Sequence, residues 1–174
     1  MRLIKGFIFA LTGLFIMITL LSLLIPSTVI VARGVVVNAH APKVIAEMAN
    51  LHHWKHWQPV FKADSGKMIF GEDRTTKNSF CEWESNGKKN KFLITAVAEN
   101  QITTSLLREG ENDVVNIISI LPLADTSQVQ VEWKALTKLK WYPWEKFYGI
   151  FIEKLTGQGY EDALNGLKNY LESH

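Results

Sequence analysis

The stretch that most constrains this chain is Gly6–Ile25, GFIFALTGLFIMITLLSLLI, twenty residues without a charge, whose only polar side chains are Thr12, Thr19 and Ser22. As a helix rising ~1.5 Å per residue it reaches roughly 30 Å, the thickness of a bilayer's hydrocarbon core. A helix satisfies its backbone polar groups internally, as hydrocarbon demands, and a Ser or Thr hydroxyl can bond back to a carbonyl one turn earlier. Pro26 ends the run, because it lacks an N–H and disfavours helix in the residue before it.

Arg2 and Lys5 flank the N-terminal side, and no cation follows the run until Arg33. The positive-inside bias therefore predicts a single-pass chain with its N-terminus in the cytoplasm and the residues after 26 across the membrane. A cleaved signal peptide shares the charged start, but its apolar run is shorter. The nearest small-x-small site, Ala39-His40-Ala41, lies far beyond the run and is followed by Pro42. The expectation is a retained anchor over residues 1–26 and one folded domain over 27–174, long enough for a proper core.

The formal net charge of +2 comes wholly from Arg2 and Lys5, so the domain is neutral. Nucleic acid, which requires a basic footprint, is excluded as a partner on that ground. Cys81 is the only cysteine, so no internal disulfide forms.

Ser27–Asn38 is β-branched and reads as a strand, apolar enough on both parities to suggest partial burial on both sides. In Ala41–Trp57, Pro42 suits a first helical turn. Val44, Ile45, Met48, Leu51, Trp54 and Trp57 recur at helical spacing, which predicts one helix, or two with a break near Asn50, stopped by Pro59. From Lys67 the period changes to two. Six strands are expected at 67–72, 79–85, 90–98, 101–109, 113–122 and 127–136, separated by turn residues such as Asn86-Gly87, Glu99-Asn100 and Asp125-Thr126-Ser127. After Pro143, Trp144, Phe147, Tyr148, Phe151 and Leu155 form one apolar stripe. Tyr160, Ala163, Leu164, Leu167 and Leu171 form a second, with a bend or break expected at Gly157 and Gly159. Strand, short helices, antiparallel meander and long helix make an α+β fold in which a curved sheet grips the C-terminal helix.

The residues at both ends agree with one family. Asn38-Ala39, Pro42, Val44, Leu51, Trp54, Trp57 and Pro59, with Gly159-Tyr160-Glu161-Asp162-Ala163-Leu164, Gly166-Leu167-Lys168 and Glu172, resemble the polyketide cyclase/dehydrase-type branch of the START-like (SRPBCC) superfamily. The resemblance covers 28–174 and departs in the middle, where the glycine-rich stretch is reduced to Gly66 and Gly71. It implies a helix-grip fold with a deep apolar cavity for lipids, sterols, polyketides or similar molecules. An N-terminal membrane span ahead of the first strand is common in one bacterial branch, which implies an inner-membrane protein facing the periplasm if the source is bacterial. No single reaction, catalytic residue or cofactor is implied.

A direct search for chemistry finds little. His52, His53 and His56 lie beside Trp54 and Trp57, but a zinc site needs a third well-placed ligand, and Glu47 is poorly spaced. Cys81 has no neighbouring base, and no serine sits in a G-x-S-x-G context. Gly157-Gln158-Gly159 lies between helical stretches, so it is not a phosphate loop. Glu82, Glu84 and Glu132 fall by alternation on the outer face of the sheet, opposite Trp83 and Trp133. No metal and no catalytic residue is assigned.

The aromatic residues are the better signal. By parity Trp83, Leu106, Ile118 and Trp133 are expected on the concave face, with Trp57, Phe147 and Phe151 facing them from the helices and Arg108 as a polar group at one end. Lys140, Trp141 and Tyr142 mix basic and interfacial aromatic character and are candidates for contact with the bilayer. The expected function is membrane-tethered, non-enzymatic binding of an apolar small molecule or lipid. The alternatives are a cyclase or dehydrase-type enzyme using the same cavity and a protein-interaction module with a filled core.

Overall fold

The computed structural model describes residues 2–63, 67–71, 78–124 and 127–173. It opens on helix α1 (Arg2–Ser22), whose described side chains are exposed up to Met17, with Ile18 and Thr19 half-buried and Ser22 buried at its end. Within it Leu3–Ser22 has a mean hydropathy of 2.2, long and apolar enough to cross a membrane. Thr19 Oγ1 donates to Phe15 O at 2.8 Å, and Ser22 Oγ donates to Thr19 O at 2.7 Å, so these hydroxyls are satisfied within the helix.

Strand β1 (Thr28–Val37) follows, then α2 (Ala41–Ala49), a 3₁₀ turn (Leu51–His53), α3 (Trp54–Trp57) and α4 (Pro59–Ala63). The break falls at Asn50, whose side-chain oxygen accepts the His52 N–H at 3.1 Å and caps the next turn. The helical run stops ahead of Pro59 as expected. Gln58 is extended, and Pro59 starts α4, a position where its missing N–H is no loss.

The sheet comprises β2 (Ile69–Phe70), β3 (Phe80–Ser85), β4 (Lys88–Ala98), β5 (Gln101–Arg108), β6 (Val114–Pro122) and β7 (Val129–Lys138), with β1 beside β7, in the order β1-β7-β6-β5-β4-β3-β2. Every pairing is antiparallel, and Thr95 forms a bulge in β4. The expected strands are present within a few residues of their bounds. The first of the six keeps only two residues, since Lys67, Met68 and Gly71 stand outside the strand, and Glu72, Gly66 and Asp125-Thr126 lie outside the described residues. Asn86 and Gly87 take positive φ of 53° and 71° in the β3–β4 turn. β1 is buried on one face only. Val31 and Val37 point inward while Thr28, Ile30, Ala32 and Val36 are exposed, because only one side is covered by a helix.

That cover is α5 (Pro143–Ser173), one continuous helix. The expected bend at Gly157 and Gly159 is absent. Gly157 instead lies over the Arg33 guanidinium, and Gly166 lies against the Trp57 carbonyl so closely that a Cβ would collide with it. The core fills the space between sheet, α2–α4 and the second half of α5, with Met48, Leu51, Trp54, Trp57, Ile118, Ile120, Leu164 and Leu167 fully buried. The curved sheet around a long C-terminal helix is the helix-grip architecture.

Candidate functional site

The concave face of the sheet and α5 do not close completely. A deep lobe of about 330 Å³ lies between Trp83, Phe92, Leu106, Asn116 and Trp133 on the strands, Trp54 and Phe61 on α3 and α4, and Gly159, Tyr160 and Ala163 on α5. An outer lobe of about 320 Å³ lies nearer the start of α5, between Val31, Val114 and Ala135 on the sheet and Glu145, Tyr148 and Ile152 on the helix. Arg108, Thr156 and Tyr160 line both lobes and form the partition between them. Each volume is at the lower end of the usual range for small-molecule sites.

The walls of the deep lobe are held firmly. Trp54 packs on Trp57, Phe92 and Trp133 at 4.9, 4.8 and 5.6 Å between ring centroids, and its Nε1 donates to Met48 O at 2.9 Å. Trp133 Nε1 donates to Asn116 Oδ1 at 3.0 Å, and Tyr160 meets the Trp133 ring edge-on at 5.5 Å. Asn116 is buried among apolar neighbours on β6, and its side-chain oxygen is the acceptor that lets a tryptophan indole be buried there.

The polar end is Arg108 with Tyr160. Arg108 Nη1 pairs with Glu111 Oε2 at 3.0 Å, while its Nε is buried and has no hydrogen-bond partner among the described residues. Such an atom is a donor awaiting an acceptor. Burial pushes the Tyr160 phenol above its usual range, partly offset by the neighbouring Arg108 charge. Tyr160 is therefore a neutral hydroxyl at physiological pH. Thr156 Oγ1 donates to Ile152 O at 2.8 Å, so its proton is already engaged. The ionisable side chains of the deep lobe are thus one guanidinium and one phenol.

The residues expected to line a cavity separate into three groups. Trp83, Leu106, Arg108 and Trp133 do line the deep lobe. Trp57 and Ile118 are buried in the solid core beside it. Phe147 and Phe151 are placed differently from the expectation: they point away from the sheet and are exposed. Lys146, Gly149 and Ile152 hold the inward positions of that part of α5 instead. Lys140 and Trp141 are exposed and Tyr142 half-buried, with Tyr142 stacked on Trp144 at 4.5 Å.

Asn116 and Thr156 are not among the residues expected from the sequence to line a cavity, and Tyr160 is expected as part of an apolar helical stripe. Asn116 shares the parity of Val114, Ile118 and Ile120, and a polar residue on a buried face was the available signal. The other candidate groups have structural partners. His53 Nδ1 meets Glu47 at 2.9 Å, His52 stacks on Phe70, and His56 stacks on Tyr170. Glu82 pairs with Lys91 and Glu132 with Lys134, both at 2.8 Å. Cys81 is buried, and its thiol is pushed up to about 12 by burial and then by Glu82.

No family model and no curated protein matches the chain. Solved structures do match it. A START superfamily protein from Mycobacterium smegmatis is similar at 19% identity with a TM-score of 0.62, over 83% of this chain and 98% of that one. A protein of unknown function from Staphylococcus aureus is similar at 12% identity and a TM-score of 0.64, over 84% of this chain and 94% of that one. Norcoclaurine synthase from Thalictrum flavum, in complex with dopamine and hydroxybenzaldehyde, is similar at 13% identity and a TM-score of 0.62, over 84% and 88%. What is shared at these identities is the START-like helix-grip fold.

Proposed function

We propose that this chain is a membrane-tethered binding protein that holds an amphipathic small molecule or lipid between the sheet and α5, without catalysing a reaction. The observation that carries this reading is the composition of the deep lobe: Trp54, Phe61, Trp83, Phe92, Leu106 and Trp133 form its apolar walls, Arg108 and Tyr160 are its ionisable groups, and Gln58, Ser85, Asn90, Asn116 and Thr156 add neutral polar lining. Apolar walls with a few placed polar groups are what an amphipathic ligand requires. The buried Arg108 Nε favours a ligand with an acceptor beside it, a carboxylate, phosphate or hydroxyl. The dopamine and hydroxybenzaldehyde complex of norcoclaurine synthase supports the reading by likeness of fold. The exposed apolar α1 supports tethering, with residues 1–26 as anchor and 27–174 as the binding domain on the far side of the membrane from the N-terminus. Lys140, Trp141 and Tyr142 touch the bilayer surface in this reading.

Native mass spectrometry with lipid extraction on the full chain in a maltoside detergent tests the proposal. A co-purified amphipathic molecule at near-stoichiometric amount supports it. A chain that carries none, and takes up neither a fluorescent fatty acid nor a fluorescent sterol, overturns it in favour of an interaction module.

A second reading, a cyclase or dehydrase-type enzyme, is favoured by one observation: a neutral phenol beside a guanidinium inside the cavity. Tyr160 would donate a proton and Arg108 would hold the charge that develops. Turnover of a bound ligand that disappears in Tyr160→Phe while binding persists would establish it.

A further inference from the structure

The first half of α5 carries apolar surface that nothing in the fold covers. Trp144, Phe147, Tyr148, Phe151 and Leu155 follow the i, i+3, i+4, i+7 spacing of a single helical face. Trp144 is 63% exposed, Phe151 56% and Leu155 62%, and Trp141 extends the stripe at 70%. This is a contiguous face, not scattered surface leucines, and such faces mark an interaction site.

Its occupant follows from what lies beside it. Lys146 is buried at the first turns of α5, and its Nζ donates to Ile25 O at 3.0 Å and Ser27 Oγ at 2.7 Å. The short segment that follows the apolar helix α1 is therefore bonded directly to the start of α5, three to five residues past Ser22. If α1 crosses a bilayer, the Trp141–Leu155 stripe begins where α1 leaves it. Tryptophan and tyrosine prefer the headgroup level, and Lys140 and Lys154 border the stripe as exposed cations. Tyr148 belongs to the stripe and also lines the outer lobe, so that lobe opens beside the same face.

We propose that the first half of α5 lies in the interface of the membrane that α1 spans, with its Trp144–Leu155 face among the lipid headgroups and the outer lobe facing the bilayer. This rests on the reading of α1 as an anchor. A ligand drawn from the membrane would then enter past Tyr148 without crossing water.

Depth-dependent quenching tests this on the full chain in vesicles of phosphatidylethanolamine and phosphatidylglycerol. Single reporters are placed through Leu14→Cys, Trp144→Cys, Tyr148→Cys, Phe151→Cys and Asn165→Cys and labelled with an environment-sensitive dye; the native Cys81 is buried. All five sites are exposed in the fold, so the substitutions leave the core intact. Lipids with a nitroxide near the headgroup should quench the reporters at 144, 148 and 151 at least twofold more than the one at 165. A nitroxide near the acyl terminus should act mainly at 14. Quenching at 14 with 144 and 151 equal to 165 overturns the proposal and leaves the anchor standing. An unquenched reporter at 14 removes the anchor and this proposal with it. Quenching at 144 and 151 but not at 148 overturns the orientation of the outer lobe.

Discussion

Lys146 Nζ donates to Ser27 Oγ at 2.7 Å, across 119 residues of chain, and so fixes the start of the long helix to the segment that leaves the apolar helix. Its second bond, to the Ile25 carbonyl, satisfies a backbone acceptor of the connecting segment that has left the helix and not yet joined β1. Lys146→Met should remove both bonds and leave Ile25 O and Ser27 Oγ short of a donor, for a loss of about 1–3 kcal/mol. Thermal unfolding of the full chain in detergent measures this, and limited proteolysis should show faster cleavage between residues 23 and 28. An unchanged melting temperature and digestion pattern would mean that the junction is not held by this contact.

Gly159 offers a way to close the deep lobe without disturbing the core. It lines the lobe, and a Cβ built there meets nothing within 4 Å. Gly159→Ala should stabilise the helix by up to about 1 kcal/mol and leave binding intact. Gly159→Leu should fold normally and reduce uptake of a fluorescent fatty acid at least tenfold. Full uptake by the leucine variant would place the ligand elsewhere.

Gly166 is the opposite case. Its neighbour is the Trp57 carbonyl, a backbone atom that cannot swing aside. Gly166→Ala should push α5 away from α3 and destabilise the domain by about 1–3 kcal/mol, the range for overpacked sites. Denaturant unfolding followed by tryptophan fluorescence reports it.

Arg108 should discriminate among ligands. Arg108→Met removes the guanidinium from the partition but keeps an unbranched apolar stem. Binding of an anionic amphiphile should weaken roughly tenfold or more, the scale of a charge-assisted hydrogen bond, while a neutral sterol probe is unaffected. Equal losses for both probes would make Arg108 a structural residue paired with Glu111.

Cys81 and Tyr160 fix the alkaline side of stability. Both are acids whose folded pKa is raised, the thiol from 9.0 to about 12. Ionisation is then favoured in the unfolded chain. The stability they contribute is fully present below pH 9 and falls as the pH rises from 9 towards 12. Chemical unfolding at pH 8, 9.5 and 11 should show that decline, and a thiol reagent at pH 8 should modify Cys81 only after unfolding. Rapid labelling of the native protein would contradict its burial.

Periodicity revealed much of this architecture. The change from helical spacing to alternation at Lys67, the Asn86-Gly87 turn and the polarity of β7 follow from rules that act within a few residues. The same rules placed Trp83, Leu106, Arg108 and Trp133 on the concave face, where the deep lobe forms. They could not place Phe147 and Phe151. An apolar stripe aimed at a core and one that faces outward have the same spacing, and only the positions of Lys146 and Ile152 against the sheet decide which way the helix is turned. The two glycines of α5 misled for a related reason. Glycine weakens an isolated helix, but here Gly157 makes room for Arg33 and the packed helix runs on.

By itself, the sequence determined an apolar helix long enough to span a bilayer and, after it, an α+β order ending in a long helix, because charge and period are local quantities. The tertiary structure decided what those elements enclose and expose. The two lobes, the partition by Arg108 and Tyr160, the bond from Lys146 to Ser27 and the outward face of α5 all join residues far apart in the chain. Their existence depends on how a curved sheet and a helix meet, which no local pattern encodes.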